Sequence, residues 1–304
     1  MQIKKPHVSS CFSSFRLKAA ITSTSLLIAA VSFVPSAMAE DTEDSLSVPT
    51  VQACSSRYPL QAAPSPETSL KDIESVIERT YQAQKNWGLD KNVTLLSPAE
   101  SGLDTPSLRV SYPAGTSSPS DQGEGGAGFY ASLKELQGAD RACLRYKIRF
   151  EPGFDFVKGG KLPGLYGGSA PSGGEEVTGY NGFSMRFMWR ENGQGELYEY
   201  IANSDEEYGL SVGRGDWYFP TGRWVTVEQE LILNDPDQEN GVARVWIDGR
   251  PILEQQDIVY RKTADVTIDG VMFSTFFGGN GEEWRTPRDQ IADFGAFEIY
   301  APNS

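Results

Sequence analysis

Histidine is almost missing from this chain of 304 residues, the single one being His7. It lies in a segment read below as removed, so the working protein is expected to hold no imidazole. That excludes Ser-His-Asp and Cys-His nucleophilic catalysis, and zinc sites built on histidine. Cysteine is scarce too: of three, only Cys54 and Cys143 lie beyond that segment. They are far apart in sequence, so no closely spaced thiolate pair suggests a metal, and none is expected. No apolar run approaches the roughly 20 residues of a membrane-spanning helix, because Thr22, Ser23, Thr24 and Ser25 interrupt the longest one. There is no P-loop, Rossmann fingerprint, EF-hand loop or internal repeat. Any proton transfer must therefore fall to Tyr, Lys, Arg, Asp or Glu.

The first residues carry cations, Lys4, Lys5, Arg16 and Lys18. An apolar stretch follows, then the small-residue pattern Ser36-Ala37-Met38-Ala39 of a cleavage site. Residues 1–39 are expected to be a signal peptide, 40–54 a flexible acidic lead-in, and 55–304 one domain. The destination is secreted or periplasmic. Cleavage removes four of 27 cations and none of 41 anions, leaving a formal charge of 23 − 41 = −18. Such a surface repels nucleic acid and anionic membranes, so an anionic ligand would have to meet a local cluster of cations. In an oxidising compartment Cys54 and Cys143 can form one bridge, or remain as two buried thiols.

One helix is predicted over about 70–86, capped by Ser69, with Ile73, Val76, Ile77 and Tyr81 at helical spacing. The remainder alternates with period two. Leu144, Tyr146, Ile148 and Phe150 fall on one face of a strand, and Arg145, Lys147 and Arg149 on the other, where they could line a ligand subsite or simply be solvated. Further strands are predicted at 183–190, 196–202, 223–233, 242–247, 252–259, 269–277 and 294–300. Many short strands with Gly-rich and Pro-rich connections indicate an all-β fold, a two-sheet antiparallel sandwich of jelly-roll type with a minor N-terminal helix. The long stretch 112–128 lacks apolar anchors and is a candidate groove-bordering loop or an inert linker.

The chemistry concentrates in 158–202. Lys158 and Lys161 sit in a Gly/Pro-rich turn, KGGKLPGLYGG, that fixes unusual backbone geometry around them. FSMRFMWR (183–190), a turn and GELYEY (195–200) predict a hairpin. With Arg190 opposite Glu196, Ser184, Arg186, Tyr198 and Tyr200 share one face, and Glu199 falls without a partner on the apolar one. A guanidinium beside two phenols can eliminate across a uronic acid: the cation neutralises the carboxylate, a base takes the C5 proton, and an acid protonates the leaving O4. Cross-strand Tyr–Arg pairing with no further role is the plainer reading of the same residues.

These motifs, with SVGRGDW (211–217) and FSTFFGG (273–279), resemble the family-14 polysaccharide lyases, which include alginate and glucuronan lyases. The likeness runs from about residue 108 to the C-terminus. It implies a β-jelly roll whose concave sheet binds the polymer, with no required metal or other cofactor. It also implies functional roles for Lys161, for Ser184 and Arg186 as a carboxylate site, and for Tyr198 and Tyr200 as acid and base. Lys158 competes for the lysine role, and Arg190, Arg214 and Trp284 are further substrate-binding candidates. The expected function is β-elimination on a uronate polymer, alginate first and polyglucuronate second, by a monomer with an alkaline optimum. A non-catalytic carbohydrate-binding sandwich and a two-carboxylate glycoside hydrolase are the alternatives.

Overall fold

The computed structural model describes residues 51–303 apart from Lys71 and 122–124. The segment expected to be a signal peptide and most of the expected lead-in therefore lie outside the described residues. Fifteen strands are formed among those described. The first eight are β1 (Leu60–Ala62), β2 (Ala83–Trp87), β3 (Val93–Leu96), β4 (Ser107–Tyr112), β5 (Ala127–Ser132), β6 (Arg141–Phe150), β7 (Gly159–Gly168) and β8 (Gly182–Arg190). There follow β9 (Gly195–Tyr200), β10 (Leu210–Val212), β11 (Val225–Ile232), β12 (Gly241–Ile247), β13 (Arg250–Ile258), β14 (Gly270–Phe277) and β15 (Gln290–Tyr300).

They make two antiparallel sheets. One runs β13-β12-β11-β6-β15-β4-β3, with β1 on β15; the other runs β10-β9-β8-β7-β14-β5-β2. Alternate residues from both enter one core: Leu144, Tyr146, Ile148 and Phe150 from β6 meet Met185, Phe187 and Trp189 from β8. Phe129 stacks on Phe273 at 4.6 Å within the second sheet, and Phe294 of the first closes on Phe273 edge-on at 5.1 Å. This is the all-β sandwich that the period-two patterning indicates.

The helix is shorter than predicted. α1 spans Ile73–Tyr81, capped by Asp72, whose carboxylate accepts from the Ser75 amide. Gln82, in the left-handed region at φ 51°, ends it, and residues 83–87 become a strand. The helical period holds only as far as Tyr81, and edge pairing to β5 takes over the following residues.

Cys54 and Cys143 are joined, tying the start of the described chain to β6. Arg145 and Arg149, expected as possible subsite cations, lie on the outer face of the first sheet. Arg145 pairs with Glu228 and Glu298, and Arg149 with Asp293 at 2.7 Å. They belong to the sheet that does not carry the candidate site, and their charge is met there by acids. The loop between β4 and β5 is tied down at Gly115 and Thr116 by backbone bonds to Thr286, and at Asp121 by Arg285.

Candidate functional site

The site is built on the outward face of the second sheet by β7, β8, β9 and β10. Its geometry starts with a break in parity on β7. Leu162 pairs with Phe187 and Leu165 with Met185, so one more residue is threaded through β7 than through β8. A bulge at Pro163-Gly164 absorbs it. Lys161 and Tyr166, an odd number of residues apart, consequently both face outward, while Leu162 and Leu165 both face the core. Only glycine fits at 164, because a Cβ there would lie 1.9 Å from the Met185 carbonyl oxygen. Gln229 stabilises the bulge from the opposite sheet: its side-chain oxygen accepts from the Leu165 amide (2.8 Å) and its nitrogen donates to the Met185 carbonyl (2.7 Å).

The β8–β9 hairpin differs in register from the prediction. Ser184 faces Tyr200, Arg186 faces Tyr198 and Met188 faces Glu196, a slip of two residues from the expected pairing. The turn at 191–193 is tighter than the sequence suggested, with Asn192 left-handed at φ 59°. An even slip keeps every side chain on its face, so Ser184, Arg186, Tyr198 and Tyr200 still share one. It also sets Glu196 in the same face beside Arg190.

At the centre, the Lys161 ammonium nitrogen lies 3.7 Å from the Tyr198 ring centroid and donates to the Met188 sulfur at 2.9 Å. The Arg186 guanidinium carbon is 5.9 Å from the ring centroids of both Tyr198 and Tyr200, whose rings meet edge-on at 5.8 Å. Tyr130 and Tyr166, also edge-on, extend the aromatic wall. Arg186 is 3% exposed, no carboxylate lies within ion-pair distance of it among the described residues, and its Nε has no hydrogen-bond partner. A buried guanidinium without a counter-ion is costly, and an incoming anion removes that cost.

Electrostatics separate the proton carriers. Burial, reinforced by Arg186 and Arg190, pushes the Lys161 pKa well below the ordinary lysine value. Burial, followed by the neighbouring Tyr200, raises Tyr198 to about 12. The amine is therefore prone to lose its proton and the phenol to keep it. The hydroxyls are capped by backbone amides: Gly209 N donates to Tyr198 at 3.1 Å, and Gly174 N to Tyr200 at 3.2 Å. Ser184 is fully buried and donates to the Pro171 carbonyl at 2.6 Å.

The family model described as Polysaccharide lyase 14 matches residues 100–297. The chain belongs to the polysaccharide lyase 14 family. It is accordingly a polysaccharide lyase, and the resemblance read from its motifs holds. Among solved structures, this lyase is similar to the marine PL-14 alginate lyase from Aplysia kurodai. The two share 28% identity at a TM-score of 0.70, over 80% of this chain and all of the other. A double variant of the alginate lyase Aly36B in complex with alginate trisaccharide matches at 19% identity and TM-score 0.66, over 81% of this chain and 100% of that one. The endo-β-1,4-glucuronan lyase from the fungus Trichoderma reesei matches at 11% identity and TM-score 0.53, over 80% and 96% of the two chains. These last two show the shared fold. No curated protein matches the sequence.

In the lyase the remaining candidates lie toward the Gly159 end of β7. Arg190 and Arg214, expected to meet substrate carboxylates, both hold a resident one. Glu196, fully buried, accepts from Arg214 at 2.6 Å and forms an ion pair with Arg190 at 2.6 Å. Lys158 is half exposed, 3.6 Å from Glu283 and 5.6 Å from the Trp284 ring, so it stands apart from the phenols that surround Lys161. Trp284 lies against Gly279, where a Cβ would come within 2.4 Å of the indole. Met188, Glu196, Tyr130 and Tyr166 were not singled out as site residues in the sequence reading. Met188 and Glu196 carry a signal in retrospect, since both alternate in phase with Arg186 and Tyr198. Among the described residues, the one grouping close enough to hold a metal is Cys54, Cys143 and Glu228, and its two sulfurs are bonded to each other.

Proposed function

We propose that this enzyme cleaves a uronate polymer by β-elimination, with alginate the first candidate and polyglucuronate the second. The observation that carries the reading is Arg186, a buried cation with no resident anion, set between two phenols and next to a lysine whose pKa is pushed down. A uronate carboxylate entering there completes the ion pair, and neutralising it acidifies C5. The unprotonated Lys161 amine takes the C5 proton. The C5 electron pair forms the C4–C5 double bond as the C4–O4 bond breaks, and Tyr198, which holds its proton, gives it to O4. Tyr200, held by Gly174 N, packs against Tyr198 and keeps Arg186 aimed at the carboxylate.

The alginate lyases of Aplysia kurodai and Aly36B support alginate, and the Trichoderma reesei glucuronan lyase keeps polyglucuronate in view. Both polymers offer a C5 proton beside a carboxylate.

The test is the ultraviolet absorbance of the new double bond when the purified protein meets alginate, polymannuronate, polyguluronate and polyglucuronate, at neutral and at alkaline pH. A rise with one polymer identifies both reaction and substrate. A folded protein that gives no rise with any of the four defeats the reading. Export belongs to the same proposal: a mature N-terminus at Glu40, read by mass spectrometry of protein recovered outside the cytoplasm, is the expected result.

A further inference from the structure

The face that carries the site is closed at one end and open at the other. Along β8, from the Gly182 end to the Arg190 end, Ser184 is 0% exposed, Arg186 3% and Met188 1%, with Tyr198 and Lys161 beside them at 7% and 9% and Glu196 at 0%. The side chains of Arg190 and Arg214 then reach 14% and 47%. Two connections shut the Ser184 end. The segment 169–181 joins β7 to β8 and is pinned where Pro171 accepts from Ser184 and Gly174 donates to Tyr200, with Val177 packed on Met188, Tyr198 and Tyr200. The segment 201–209 joins β9 to β10 at the same end and docks Gly209 on Tyr198. Gly209 lies so close that a Cβ there would meet the two tyrosine rings at 2.7 and 2.8 Å.

Charge follows the same axis. A cavity beyond Tyr200 is lined by Glu175, Glu176, Asp205, Glu206 and Glu207, with Lys262 the one cation among its lining residues. The open end carries Lys158, Arg190 and Arg214 against Glu196 and Glu283, one positive charge in excess. A polyanion is drawn to the second and repelled from the first. From Arg186 to Ser184 is two strand residues, about 7 Å, which leaves room for only a short chain end before the Pro171 wall.

Resting on the uronate reading above, we infer that the groove is blind at the 169–181 strap, so the enzyme accepts a polymer by its terminus and acts exolytically. The strap and the acidic loop 203–207 set the mode of cleavage, while Arg186, Lys161 and Tyr198 do the chemistry.

The experiment follows double-bond absorbance, solution viscosity and product size together, on whichever of the four polyuronates is cleaved. Exolytic action gives absorbance with little early fall in viscosity and products of one short size from the first time points. An early collapse of viscosity with a ladder of intermediate oligomers overturns the inference while leaving β-elimination intact. Absence of absorbance with all four overturns the uronate reading, and this inference with it. A variant in which Gly-Gly replaces Ser172–Glu176 opens the blind end. If it folds and cleaves, its products should spread to a ladder, and an unchanged product size would show that the strap does not set the mode.

Discussion

Lys161 and Tyr198 come from strands that are not neighbours in the sheet, yet the lysine nitrogen rests 3.7 Å from the centroid of the phenol ring. The strand between them, β8, contributes Arg186 and Met188 to the same contact. Burial lowers the proton affinity of the amine and raises that of the phenol. Two groups whose ordinary pKa values nearly coincide are thus driven in opposite directions, the direction the proposed base and acid each require.

Lys161→Ala is expected to lower kcat/KM by about 10²–10⁴. Far-ultraviolet circular dichroism and Tm should match the parent, because the lysine lies at the outer face and contributes no ion pair to the core. Full activity in a folded variant would remove Lys161 from the mechanism.

The pH profile should rise with pH. The lysine acts as a base only when neutral, a form present above its folded pKa and lost as pH falls through it. Tyr198, at about 12, keeps its proton across the neutral and mildly alkaline range, so no descending limb from it is expected below about pH 10. Arg190 is one of the cations that depress Lys161, so Arg190→Gln should move the ascending limb to higher pH. A limb that stays put or moves down would assign it to another group.

Of the two phenols, Tyr198 should matter more to the chemical step. Tyr198→Phe is expected to reduce kcat by about 10²–10³, and Tyr200→Phe by less, with more of its effect on KM through the seating of Arg186. Steady-state kinetics of both variants on the cleaved polymer would show the reverse ranking if the roles were exchanged.

Glu199 faces the core, where Gln255 donates to one oxygen at 3.0 Å and the other has no partner. Burial raises its pKa to about 8. A carboxyl raised above its unfolded value contributes stability that is full below the unfolded pKa and is lost as pH rises through about 8. Glu199→Gln should therefore be more stable than the parent at alkaline pH, by on the order of a few kcal/mol, and show a flatter dependence of Tm on pH. Equal slopes in thermal melts would refute this.

Cys54 and Cys143 close a span of 89 residues. The chain-entropy model gives about 4–5 kcal/mol for a loop of that length. Reduction, or the double change to alanine, should lower Tm clearly while leaving the sheet signal and the activity of the folded fraction intact. No change in Tm under reducing conditions would contradict it.

Much of the scaffold was legible because a sheet with one buried face must alternate. Leu144, Tyr146, Ile148 and Phe150 declared their face, as did Ser184 with Arg186 and Tyr198 with Tyr200. The register of the β8–β9 hairpin was not legible: turn geometry sets it, and a slip of two residues leaves the alternation unchanged. Lys161 and Tyr166 violate alternation through the bulge at Pro163-Gly164, which period-two reasoning cannot anticipate. The end of the helix at Tyr81 was hidden for a related reason, since the residues after it pair with a strand distant in sequence.

By itself the sequence determined what chemistry is open to this protein. With histidine confined to His7, proton transfer is left to Tyr, Lys, Arg, Asp or Glu, and an arginine shares a strand face with two tyrosines where it can meet a carboxylate. Those are properties of residue type and spacing. Tertiary structure decided which of these groups keeps its proton, which cations are free for a ligand and which end of the groove is shut. Arg190 and Arg214 stood beside Arg186 in the sequence as further candidates for substrate carboxylates, yet both are held by the buried Glu196 while Arg186 has no carboxylate beside it. The reason is physical: desolvation and ion pairing depend on what surrounds a charge in space, and those surroundings come from strands and loops far apart in the chain.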